Sequence, residues 1–463
     1  MKTSKYEMDM CSGPLLKKII TFVIPLMLSG ILQLLYNAAD IVVVGRFSGK
    51  ASLAAVGSTG ALINLIINIF MGLSVGACVI TAQRFGAGDR KALSDVVHTS
   101  MLAALICGVV VGIAGFFLAR PMLAIMDTPD DVIDKAALYV KIYFAGLPAL
   151  MLYNFGASIL RGIGDTKRPL YFLTAAGLVN IVLNVVFVVA FKMDVAGVAT
   201  ATVISEIISA VLVVLVLMRS DTDFRLELKK LRICKKELVS MIKIGLPAGI
   251  QGSVFSFSNV IIQSSINSFG SVAMAGNAAA SNIEGFIYTS MNAVSQASVT
   301  FTGQNFGARR YENLRRILID CLGLVTVIAA ALGALVLVFD KPLLGIYSAD
   351  DEVIQFGIIR LWIICTTYFL CGVMEVFVGM LRGIGRSLTP MIVTVCGVCG
   401  IRLLWIFTVF QLDRNLTMLY ISYPISWTVT AVVHFICYLA VKKRTIKKNE
   451  MLYTSSQEAK QET

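Results

Sequence analysis

The stretch PLMLSGILQLLYNAADIVVVGRF, residues 25–47, places an ionisable Asp40 deep in an otherwise apolar helix. Gln33, Tyr36, Asn37 and Asp40 recur at i, i+3, i+4 and i+7, so they share one helical face. That face cannot look at lipid. An unpaired carboxylate in hydrocarbon costs at least about 2.5 kcal/mol, so such residues face a protein-lined cavity and mark an ion or substrate path. The plainer explanation, an aspartate held by a neighbouring helix for packing alone, accounts for Asp40 but not for the polar residues beside it.

The rest of the chain fits a membrane setting. Hydrophobic residues make up 57% and charged residues 15%, where soluble domains carry roughly 25% charged residues, and the mean hydropathy is +0.81. The net charge of +12 sits in short gaps between apolar runs, where Lys and Arg set topology and meet anionic lipid heads; it does not call for nucleic acid. The first apolar run continues far past signal-peptide length without a small-residue cleavage site, so it stays as a membrane helix.

A spanning helix needs about 20 apolar residues. Twelve such spans are predicted, near 15–45, 52–83, 93–119, 132–160, 169–191 and 196–218, then 238–267, 272–303, 314–339, 353–381, 389–411 and 417–441. Pro25, Pro148, Pro247 and Pro424 are expected kink points. One set of loops carries Arg84, Arg90, Lys91, Arg161, Lys167, Arg168, the basic cluster of 219–236, Arg382 and Arg386; the other carries Asp127, Asp130, Asp131, Asp134, Asp340, Asp350, Asp351 and Glu352. By the positive-inside rule both termini are cytoplasmic.

The longest hydrophilic connection falls at the midpoint, and motifs recur across it. Gln83-Arg84-Phe85-Gly86-Ala87 returns as Gln304-Asn305-Phe306-Gly307-Ala308, and Leu160-Arg161-Gly162-Ile163-Gly164 as Leu381-Arg382-Gly383-Ile384-Gly385, both at a spacing of 221. Six helices per copy is even, so both copies enter from the same side as parallel repeats. The expected fold is therefore an all-α integral membrane protein, twelve transmembrane helices as two six-helix bundles around a central cleft. Its segments are a cytoplasmic start (1–13), a first bundle (14–218), a linker (219–237), a second bundle (238–441) and a basic, polar tail (442–463) whose last fifteen residues have too little apolar content to pack.

Further polar residues interrupt the spans. Asn180 and Asn184 are one turn apart, as are Thr202 and Glu206, and Asn154 lies inside the fourth span. Singly, each amide is explained by helix packing. With Asp40, however, Asn180, Asn184 and Thr202 make an all-oxygen set suited to a proton or a desolvated Na⁺. A proton and a cation compete for one carboxylate, and that competition links two gradients. In the second bundle Asn259, Gln263 and Asn267 form a stripe, Glu284 and Glu375 are its acids, and Arg402 is their expected partner.

Other chemistries lack their residues. Eight of ten cysteines lie in apolar runs as packing residues, and the Cys396/Cys399 pair sits in a helix without metal-ligand company. The GIG turns at 162–164 and 383–385 follow no strand and lack P-loop spacing, so the energy source is an ion gradient and not a nucleotide.

LYNAADIVVVGRFSG (35–49), AQRFGAGDRK (82–91), LPALMLYNFGASILRGIGDTKRP (147–169) and NIVLN (180–184), with the duplication, resemble the MATE (multidrug and toxic compound extrusion) transporters, in their DinF-like prokaryotic branch. The resemblance implies two lobes in a V, and H⁺- or Na⁺-coupled export of cationic, lipophilic compounds without a cofactor. It maps the family's coupling acid onto Asp40 and its companions onto Gln33, Tyr36, Asn154, Asn180 and Thr202, with Tyr139 less closely. Where many relatives carry a second acid, this chain has Asn184, which favours H⁺ over Na⁺; the seventh-helix acid of the NorM-like branch is absent as well. Substrate contacts are expected from Gln33, Tyr36, Asn37, Tyr139, Asn154, Asn259, Gln263, Glu284 and Glu375, and a monomer in the cell inner membrane is the expected unit.

Two other classes fit the residues less well. A lipid-linked saccharide flippase would line its cleft with several bases, where Arg402 stands as the clear one. A membrane-embedded enzyme would need a polar catalytic set, and His98 and His434 lie far apart without partners.

Overall fold

The computed structural model describes residues 7–126, 128–220 and 222–461; Lys2, Lys5 and Asp127 lie outside the described residues, as do the side chains of Asp131 and of 446–461. All regular elements described are helical. The chain divides into two compact units, each treated on its own below. The first comprises residues 7–10 with Ile20–Ser253, and the second Cys11–Ile19 with the chain from Val254 onward.

The first unit holds most of α1 (Leu15–Phe47), then α2 (Gly49–Gly86), α3 (Arg90–Ile125), α4 (Asp130–Ala145), α5 (Leu147–Gly162), α6 (Lys167–Val185), α7 (Asp194–Met218) and the start of α8 (Lys235–Asn267). Here α5 packs against α2, α3 and α7, and α6 against α7. α6 ends in a wide π turn, Val186–Ala190.

The second unit holds the rest of α8, then α9 (Ser271–Gly307), α10 (Asn313–Val338), the short α11 (Asp340–Gly345), α12 (Asp351–Gly383), α13 (Leu388–Thr394), a π turn at Val395–Gly400, α14 (Ile401–Phe407), α15 (Val409–Leu412) and α16 (Leu416–Gln461). α12 is its centre and packs against α9, α10 and α16.

A helix or a run of successive helices stands at each of the twelve expected spans. Ten helices among the described residues are long and apolar enough to cross a membrane alone. An eleventh span is α4 with α5, broken by a 48° bend. Pro148 at the second position of α5 is the kink expected there, whereas Pro25, Pro247 and Pro424 stay inside continuous helices.

The twelfth, α9, is 37 residues long but too polar for an apolar span. Its polarity is absorbed within the unit: Ser295 Oγ donates to the Glu375 carbonyl at 2.9 Å, and Ser298 Oγ to the Val376 carbonyl at 3.3 Å, both on α12. At the other extreme α16 runs to Gln461, so the polar tail continues as helix where composition left it unstructured.

The two GIG turns end on glycines with left-handed backbone, Gly164 at φ +97° and Gly385 at φ +89°. Only glycine takes that conformation without strain. Beyond the first turn, Asp165 Oδ1 accepts from the backbone N–H groups of Lys167 and Arg168, each at 3.1 Å, and starts α6. Burial pushes the Asp165 carboxyl above its ordinary value while the adjacent Arg168 opposes the shift.

Candidate functional site

Three helices of the first unit converge on Asp40. Asn184 Nδ2 on α6 donates to Asp40 Oδ1 and also to Asn180 Oδ1, the latter at 3.1 Å. Asn180 Nδ2 in turn donates to Thr202 Oγ1 on α7 at 3.5 Å, and the Thr202 hydroxyl donates to the Val198 carbonyl at 3.0 Å. From Asn184 the donors run through Asn180 to Thr202, away from the carboxylate, and Asn184 Nδ2 is the one group of the three that also donates to Asp40.

Asn184 is fully buried at 0% exposure, and its Oδ1 has no hydrogen-bond partner. No ion pair among the described residues involves Asp40. The carboxylate is therefore held by an amide and left without a counter-cation.

The remaining first-unit residues divide. The Tyr36 ring lies on α6 at Gly177, where a Cβ would come within 2.0 Å of the ring carbons. Gly177→Val should displace the ring and cost about 1–3 kcal/mol. A thermal melt of the purified protein checks this, and an unchanged melt would mean that the ring relocates freely.

Tyr139 is buried on α4 and stacks on Tyr143 at 6.4 Å. Asn154 is buried but donates to the Leu150 carbonyl of its own helix at 2.9 Å, outside the Asp40 chain. Gln33 and Asn37 are exposed along α1. Glu206, one turn beyond Thr202, carries a buried Oε2 without a hydrogen-bond partner. Its one-turn spacing from Thr202 was visible in the sequence and marks it as a second acid of this region.

In the second unit Asn259, Gln263 and Glu284 line a cavity of about 360 Å³ together with Asn277, Arg360 and Arg402. Glu375 is not among its walls. The base on Glu284 differs from the one expected. Arg360 of α12 grips it with two bonds, Nε to Oε1 at 2.9 Å and Nη2 to Oε2 at 2.7 Å, and Arg402 is not its partner.

Arg360 Nη1 also donates to Asn277 Oδ1 at 2.6 Å, and Asn277 Nδ2 to Gln263 Oε1 at 3.0 Å. Gln263 Nε2 donates to Asn267 Oδ1 at 2.9 Å, so two residues of the seventh-span stripe join the Arg360 network. Arg360 was hidden near the expected start of its span, where an arginine ordinarily snorkels to the interface. A lone base ahead of LWIICTTYFL was the available signal.

A family model described as MatE matches the chain twice, over residues 25–186 and 247–408, one match in each half. The chain is 26% identical over 431 residues to the probable multidrug resistance protein YoeA of Bacillus subtilis, covering 91% of this chain and 93% of that protein. It is 22% identical over 439 residues to the multidrug export protein MepA of Staphylococcus saprophyticus, covering 94% and 96%. Its fold matches a solved structure described as the outward-facing conformation of a multidrug resistance MATE family transporter of the MOP superfamily, with TM-score 0.90, 24% identity, and coverage of 96% of this chain and 100% of that one. With its duplicated motifs and its matches in both halves, the chain belongs to the MatE family, the MATE transporters that its motifs resemble.

Proposed function

We propose that this protein is a secondary active exporter of cationic or lipophilic small molecules, driven by cation antiport through Asp40, with H⁺ favoured over Na⁺. The single observation that carries the reading is the hydrogen-bonded chain Thr202–Asn180–Asn184 that joins an acid without a counter-charge. An acid so placed takes up either a proton or a cationic compound, and binding of one displaces the other. The names of the relatives, multidrug resistance and multidrug export proteins, support the substrate class.

The preference for protons has a structural support. Asn184 turns its N–H, and not its oxygen, towards Asp40. A donor there suits a carboxylate but repels Na⁺, whose ligands are oxygens. The bundles exchange access between the two sides of the cell membrane, both termini lie in the cytoplasm, and the monomer carries the activity.

Saccharide-lipid flipping would call for several unpaired bases, but Glu284 neutralises Arg360 and leaves Arg402 alone. The test is ethidium flux from liposomes holding the purified protein, under an imposed pH gradient and, separately, an imposed Na⁺ gradient. Flux driven by the pH gradient is expected. Flux driven by Na⁺ alone would overturn the proton preference, and no flux of any organic cation by folded protein would overturn the exporter.

A further inference from the structure

The second unit contains a cation without a counter-charge. Arg402 on α14 is fully buried at 0% exposure and lines the cavity. Its Nε donates to Ser426 Oγ at 3.0 Å, but the buried Nη1 and Nη2 have no hydrogen-bond partner. No ion pair among the described residues involves Arg402. The acid of the cavity wall, Glu284, is occupied on both oxygens by Arg360.

Three aromatic rings surround the guanidinium instead: Tyr423 at 4.0 Å, Trp427 at 5.6 Å and Phe255 at 5.8 Å from its carbon. All three line the same cavity. Ring faces attract a guanidinium and hold it in place, yet they leave its four terminal N–H groups unmade as hydrogen bonds. Buried donors on a charged group are costly to leave so. The charged walls, Arg360, Arg402 and Glu284, sum to one positive charge.

We infer that this cavity binds the anionic group of an amphiphilic monoanion, an aromatic carboxylate or sulfonate, with Nη1 and Nη2 of Arg402 forming the fork that receives it. The rings and the apolar wall of Ile262, Ile266 and Ile364 take the flat body of the ligand. One uncompensated positive charge fits one negative charge; a dianion would leave its second charge buried and unpaired. The inference concerns a site within the second unit and is read by binding, so it stands or falls apart from transport through Asp40.

The test uses the full chain in phosphatidylcholine nanodiscs, with Trp362→Phe and Trp405→Phe leaving Trp427 as the sole tryptophan reporter. Quenching is titrated with 1-naphthoate, its neutral analogue 1-naphthamide and the cation 1-naphthylmethylamine. Naphthoate should bind at least about tenfold more tightly than the amide, as a charge-assisted pair requires, and the amine more weakly than either. Arg402→Gln should remove that preference and leave naphthamide binding within about twofold, while Arg402→Lys keeps part of it.

Equal binding of acid and amide with Arg402 present, or a preference that survives Arg402→Gln, overturns the inference. The three-ligand comparison needs no change at Arg402 and so decides the matter even if the Gln variant fails to fold. Weakening of naphthoate alone when phosphatidylglycerol is added to the discs assigns the anion to a lipid headgroup; no such weakening assigns it to a free anion.

Discussion

Asp40→Asn lowers ion-driven ethidium export at least about 100-fold, while the protein folds and still binds ethidium. The substitution keeps the shape of the side chain and an oxygen that can accept from Asn184 Nδ2, so the chain through Asn180 to Thr202 stays joined. What disappears is the charge that proton and cation compete for. A factor of 100 corresponds to about 2.7 kcal/mol, within the range by which one bound species ordinarily biases another. Initial rates in liposomes at a fixed pH gradient measure it. Export by the variant at more than a tenth of the wild-type rate would move coupling to another acid, for which Glu206 is the candidate.

The second large effect is on stability. Arg360→Met should destabilise the protein by about 3–5 kcal/mol, because it leaves Glu284 charged and alone in a buried cavity. Asn277 loses its 2.6 Å donor at the same stroke and keeps Tyr420, whose hydroxyl donates to it at 3.2 Å. Glu284→Leu alone should be as harmful, since it frees a second buried guanidinium. The double variant removes both charges and should recover most of the loss, as replacing a buried pair with apolar residues commonly does. Thermal unfolding of the four proteins in one detergent gives the cycle. Additive losses in the double variant would show that the pair does not hold α9 to α12.

Much of this architecture was legible because hydropathy and repeat spacing act locally. The twelve spans follow from runs of about 20 apolar residues, and the duplication from motifs kept at one spacing. α9 is the instructive exception: its serines, threonines and amides make it too polar for an apolar span, yet it packs against α10 and α12 and its polar side chains bond within the unit. The Asp40, Asn180, Asn184 and Thr202 set was readable in outline because i, i+4 spacing places side chains on one face.

Pairings between distant helices were not readable in that way. Glu284 and Arg360 are 76 positions apart, and which of two arginines reaches the acid depends on how each helix is rotated about its axis. A π turn at Val395–Gly400 changes that rotation just ahead of Arg402, and no residue pattern announces it. The 48° break at Gly146 was half readable: Pro148 pointed to it, but three other prolines in similar settings sit in continuous helices.

Proton release on drug binding tests the central claim most directly. Purified protein in lightly buffered detergent is titrated with tetraphenylphosphonium while a pH indicator is read. The account predicts about one proton released per cation bound by the wild type, and none by Asp40→Asn. Binding by the wild type without proton release, or equal release by both proteins, would contradict it.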